Sequence, residues 1–106
     1  MRRSFAIALA TTATIALAGC SWVKTTPAGE QVREATAAEV AACEEVGTAV
    51  ASTQATAAGL PRDKEVIRDE QVTLARNRAA TIGGDTIVQS GPASGGTLTF
   101  TVYRCR

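Results

Sequence analysis

Cys20 closes the run Leu17-Ala18-Gly19-Cys20 behind a basic N-terminus and a short apolar stretch, and so divides the chain into a leader and the residues that must build a fold. Arg2 and Arg3 precede the apolar stretch from Phe5 to Ala18. That stretch holds about 14 residues, where a helix crossing a bilayer needs about 20. Thr11, Thr12 and Thr14 interrupt it, and Gly19 leaves room beside the thiol. The alternative, an uncleaved anchor or buried helix over residues 1 to 18, fits those threonines and the Leu-Ala-Gly-Cys ending less well.

This ending resembles the lipobox of bacterial lipoproteins, where a diacylglyceryl group is attached to the cysteine sulfur before the leader is removed. The expectation is a signal peptide over residues 1–19, cleaved, and lipidation at Cys20, so that the chain meets the membrane through N-terminal lipid such as palmitate. Ser21 points to the outer membrane, facing the periplasm, in bacteria that use aspartate at this position to retain lipoproteins in the inner membrane. Cleavage would leave 106 less 19, or 87 residues, enough for one small domain and a tether. Two of the 11 basic residues and none of the 10 acidic ones lie in the leader, so the formal charge moves from +1 to −1. Neither that balance nor the expected location suits nucleic acid.

With Cys20 acylated, Cys43 and Cys105 remain in a compartment that favours oxidation, and they are expected to pair. The bridge would close a loop of roughly 60 residues, which the chain-entropy model values at about 4 kcal/mol. Free thiols or a metal site are the alternative. The chain has no histidine, and four soft ligands cannot be assembled.

Residues 20–29 carry Pro27 and Gly29 without amphipathic period and are expected to form a lipidated tether reaching at most about 30 Å. Trp22 would rest among headgroups or tuck into the domain. The domain, residues 30–106, opens with a short strand over Gln31 to Ala35 and an alanine-rich turn or single helical turn over Ala37 to Ala42. From Cys43 to about Ala51, Val46, Thr48 and Val50 alternate with Glu45, Gly47 and Ala49, which predicts a strand with one β-branched face. Ser52 to Gly59 has no period and is expected to be a flexible loop.

Residues 61 to 82 predict a helix, with Pro61 and Asp63 in its first turn and Gly83-Gly84 as a left-handed stop. Ile67, Leu74, Ala75, Ala79 and Ile82 share a face. Gln71 and Arg78 intrude on that stripe, so either they mark its edge or the helix begins nearer Asp69, leaving Val66 and Ile67 outside it. Thr86 to Gln89 predicts a strand, and Thr97 to Cys105 another, in which Leu98, Phe100 and Val102 alternate with Thr99, Thr101 and Tyr103. The intervening Ser90 to Gly96 is too long for a two-residue turn and is expected to be mobile at its tip.

A Cys43–Cys105 bridge requires the start of the second strand to lie beside the end of the fourth, as in adjacent antiparallel strands. With strands three and four hairpinned, strands two and three become parallel, with the helix crossing between them and strand four in the middle. The fold class is therefore α+β: a small, mostly antiparallel four-stranded sheet with one main helix packed on it, β-β-α-β-β, a split β-α-β unit with one disulfide.

Val32-Arg33, Cys43-Glu44-Glu45-Val46-Gly47, Leu74-Ala75-Arg76-Asn77-Arg78-Ala79-Ala80, Ile82-Gly83-Gly84-Asp85-Thr86-Ile87-Val88 and Phe100-Thr101-Val102-Tyr103-Arg104-Cys105 together resemble the bacterial lipoproteins of domain of unknown function family 4156. The similarity covers nearly all of residues 30 to 106 and implies a lipoprotein of undefined activity. A more distant likeness is to the outer-membrane lipoprotein that feeds envelope stress into the Rcs phosphorelay, also a small tethered α+β domain held by disulfides.

Gly83-Gly84-Asp85 follows a helix rather than preceding one, so it suits termination better than phosphate binding. Arg76, Asn77 and Arg78 form a candidate anion-binding patch for lipopolysaccharide phosphate or peptidoglycan carboxylate, against the plainer reading of a solvated helix face. Without histidine the usual base for nucleophilic catalysis is missing, and the neighbouring carboxylates Glu44 with Glu45 and Asp69 with Glu70 point to different faces. No enzyme, cofactor or metal site is expected. The expected function is binding or envelope maintenance through an envelope protein, peptidoglycan or lipopolysaccharide. The alternative is an envelope stress or redox sensor acting through the disulfide, although catalytic dithiols usually sit close in sequence.

Overall fold

The computed structural model describes residues 23–106, so the leader, Cys20, Ser21 and Trp22 lie outside the described residues. Six strands and one long helix are present among the described residues: β1 (Arg33–Glu34), β2 (Glu44–Ser52), β3 (Thr56–Ala57), β4 (Leu60–Pro61), α1 (Lys64–Thr81), β5 (Thr86–Gln89) and β6 (Thr97–Arg104). The main sheet runs β1-β5-β6-β2, with β1 parallel to β5 and the other neighbours antiparallel. β6 lies between β5 and β2, as the cysteine spacing required. Cys43 and Cys105 are bonded, their Cα atoms 4.7 Å apart.

Strict alternation along β6 buries Leu98, Phe100 and Val102 against the helix while Thr99, Thr101 and Tyr103 take the other face. β2 departs from its sequence pattern. Glu45 pairs with Tyr103 but Gly47 pairs with Val102, so Val46 is an extra residue, a β-bulge. One inserted residue inverts every side chain beyond it. The expected β-branched face is therefore turned outward at Thr48 and at Val50, which is 62% exposed, while Ala49 and Ala51 face the helix. Those alanines join Ala75 and Ala79 of α1 in the core, together with Val32, Ile87, Leu98, Phe100 and Val102. Small residues on both surfaces let the helix lie close to the sheet.

α1 starts at Lys64 rather than at 61. The Asp63 carboxylate caps it by accepting from the Glu65 N–H at 2.8 Å, so Val66 and Ile67 belong to the helix and the later start near Asp69 does not occur. Pro61 lies in β4, outside the first turn. At the other end the Gly84 N–H donates to Ala79 O at 2.9 Å and the Gly83 N–H to Ala80 O, with Gly83 at φ +83°, a Schellman stop. A Cβ on Gly84 would lie 2.1 Å from Val102 Cγ1, so the stop is also where the chain presses onto β6.

Two segments are more ordered than expected. The presumed loop after β2 contains the β3–β4 hairpin, turned at Ala58 (φ 51°) and Gly59 (φ 77°). Its pattern was hidden because alanine seldom holds the left-handed turn position that glycine or asparagine would announce. Within Ser90 to Gly96, Ser94 and Thr97 exchange backbone hydrogen bonds at 2.9 and 3.0 Å around Gly95-Gly96, so a two-residue turn does close the hairpin and residues 90–93 form a separate bend. The first strand shrinks to Arg33–Glu34, Gln31 belonging to a 3-10 turn, Gly29–Gln31.

Candidate functional site

Lys64, Ile67, Arg68 and Gln71 recur at helical spacing and form one wall of a cleft of about 380 Å³. The opposite wall comes from Gln89 at the end of β5, Ala93 in the connection and Leu98 at the start of β6. Hydrogen bonds hold that wall: the Gln89 carboxamide nitrogen donates to Gly91 O at 3.0 Å and the Ser90 N–H to Thr99 O at 2.9 Å. Arg68 bridges the cleft edge, donating to both carboxylate oxygens of Glu34 at 3.2 and 2.6 Å and to Gln89 Oε1 at 3.3 Å. The bond to Glu34 pushes the guanidinium pKa still higher, so the group stays cationic.

Gln71 is 2% exposed, and its carboxamide nitrogen is buried with no hydrogen-bond partner. It is one of the two residues, with the exposed Arg78, that intrude on the apolar stripe of the helix, and that intrusion was the sequence signal for it. Beside it, Glu70 is fully buried. The Arg62 guanidinium donates to both of its oxygens, and the Thr53 hydroxyl donates to Oε2. This cluster had no sequence signature, because Arg62 and Thr53 lie in segments without pattern. It anchors the loop wall as well: the Thr53 N–H donates to Gly96 O at 2.8 Å, and a Cβ on Gly96 would lie 1.8 Å from Thr53 O.

The expected anion patch takes another form. Arg76 donates to three backbone carbonyls, Gly29 O at 3.1 Å, Val32 O at 2.7 Å and Glu30 O at 2.9 Å. Asn77 accepts from the Thr26 N–H at 2.9 Å and donates to Lys24 O at 2.9 Å. Arg78 is exposed and apart from these contacts. Arg76 and Asn77 therefore fasten the N-terminal segment to the helix instead of meeting Arg78 around an anion. The expected tether is shortened accordingly, since residues from Lys24 onward lie on α1.

At the disulfide end, Asp85 accepts from the Cys105 N–H at 2.9 Å, the Arg106 N–H at 3.0 Å and the Thr86 hydroxyl at 2.8 Å. Burial raises its pKa, but those three bonds and the Arg106 charge outweigh it and hold the carboxyl below its ordinary value. Of the adjacent carboxylates, Glu70 is buried and Asp69 exposed, while Glu44 reaches Arg104 at 3.4 Å and Glu45 lies on the other side of the strand. Among the described residues no helix is long and apolar enough to cross a membrane.

Among the described residues, one long helix on a four-stranded sheet, clasped by a disulfide and carrying a cleft at one end of the helix, defines a small α+β module. Residues 23–105 match the family model described as Domain of unknown function (DUF4156), and the chain belongs to that family. No curated protein and no solved structure matches it.

Proposed function

We propose that the chain is an envelope lipoprotein, anchored through acyl chains on Cys20 in the outer membrane and facing the periplasm, whose domain works by binding an envelope component rather than by catalysis. The observation that carries this reading is the attachment of Lys24 and Thr26 to Asn77. Three residues, Ser21 to Val23, stand between the expected lipid site and Lys24, a reach of at most about 14 Å. A domain so closely moored would be presented at the membrane surface instead of ranging through the periplasm. Palmitate labelling with fractionation tests the reading. The wild-type chain should incorporate label and sediment with outer membranes, while Cys20→Ser should do neither. Identical fractionation of the two would contradict it.

A further inference from the structure

We propose that the cleft between the first half of α1 and the β5–β6 connection binds the free carboxylate of a small aliphatic acid, of the size of an acyl amino acid or the last two residues of a peptide. A buried donor without an acceptor is destabilising, and native chains rarely keep one. The Gln71 nitrogen is such a donor, and its side chain lines the cleft. An acceptor brought in from outside completes it.

The cleft also selects the acceptor's charge. Lys64 stands at the wall with no ion-pair partner among the described residues, while Arg68 is already matched by Glu34. The net excess is one positive charge, which suits one carboxylate, with an oxygen for the Gln71 N–H and the charge for Lys64. Ile67, Ala93 and Leu98 leave an apolar surface for an aliphatic body. The cleft volume falls at the small end of ligand sites, which limits the occupant to something on the order of a dipeptide. Gln89, with both ends of its carboxamide engaged, sets the opposite wall and is not a ligand donor.

This inference rests on the binding half of the proposed function and not on its anchoring half, so its failure would leave the fractionation result untouched. The test is titration of the ¹⁵N-labelled membrane-extracted protein in detergent micelles with N-acetyl-Leu-Ala, its C-terminal amide, and hexanoate. Saturable shifts of the Gln71 side-chain resonances by either acid, with the amide at least tenfold weaker, are expected. Tighter binding of the acetylated dipeptide would identify a peptide end, and equal or tighter binding of hexanoate a simple aliphatic acid. Gln71→Met should weaken binding at least tenfold while the urea midpoint stays level or rises, because an unsatisfied donor is removed. Lys64→Gln, on the exposed side of the cleft, should weaken binding severalfold without altering stability. No saturation by either acid up to about 10 mM, an affinity weaker than about 2.7 kcal/mol, would overturn the proposal. So would an amide that binds equally well, or a Gln71→Met variant with a lowered midpoint.

Discussion

Arg62 and Glu70 form a buried bidentate ion pair, the guanidinium side chain 7% exposed and the carboxylate not at all. Arg62 also donates to Gln54 O at 2.8 Å, so the pair ties the β3–β4 hairpin, the end of β2 and the second turn of α1 together. Removing one partner leaves a buried charge, whereas removing both leaves apolar volume. Arg62→Met should therefore lower the unfolding free energy by about 3–5 kcal/mol, and adding Glu70→Leu should restore most of the loss. Urea denaturation of the wild type, the single variant and the double variant checks the order.

Asn77 pins Lys24 and Thr26 of the N-terminal segment to α1. Asn77→Ala should free the Thr26 amide, raising its hydrogen-exchange rate severalfold, while global stability falls by no more than about 1 kcal/mol, since the bonds are exposed. Exchange measured residue by residue distinguishes this local opening from general destabilisation.

The Cys43–Cys105 bridge spans 62 residues of sequence and joins the start of β2 to the end of β6. Replacing both cysteines by alanine should lower stability by about 2–4 kcal/mol through the larger entropy of the unfolded chain. Denaturant titration of the double variant gives the value. A reduction potential below about −300 mV would mark the bridge as a permanent staple.

Asp85 has a folded pKa below its ordinary value of 3.8, so its stabilising effect is complete above that value and disappears as pH falls through the lower folded one. The stability difference between the wild type and Asp85→Asn should be constant from neutral pH down to about pH 5 and shrink below about pH 4. Urea midpoints measured across that range check the sign. A gap that widened with acid would contradict it.

The C-terminal stop of α1, β5, β6, the place of β6 between β5 and β2, and the cysteine pair were legible because each rests on a simple rule: alternation at Leu98, Phe100 and Val102, the stop at Gly83-Gly84, and the distance limit on a disulfide. What was hidden depends on tertiary context. The Val46 bulge turns Thr48 and Val50 outward so that Ala49 and Ala51 can meet Ala75 and Ala79, and no alternation pattern encodes an inserted residue. Arg76 and Asn77 had the composition of an anion site, but backbone carbonyls from residues 24–32 satisfy them, and that segment had no pattern to place it on the helix. At the cleft, the sequence marked Gln71 as out of place on its stripe. Its missing partner became visible once the β5–β6 connection was positioned beside it.

Intact mass of the protein extracted from membranes, recorded with and without reductant, tests the central claim most directly. We predict a chain that begins at Cys20, carries acyl groups there, and gains two hydrogens on reduction as the Cys43–Cys105 bond opens. A species retaining Met1 to Gly19, or one with an unmodified Cys20 thiol, would contradict the claim.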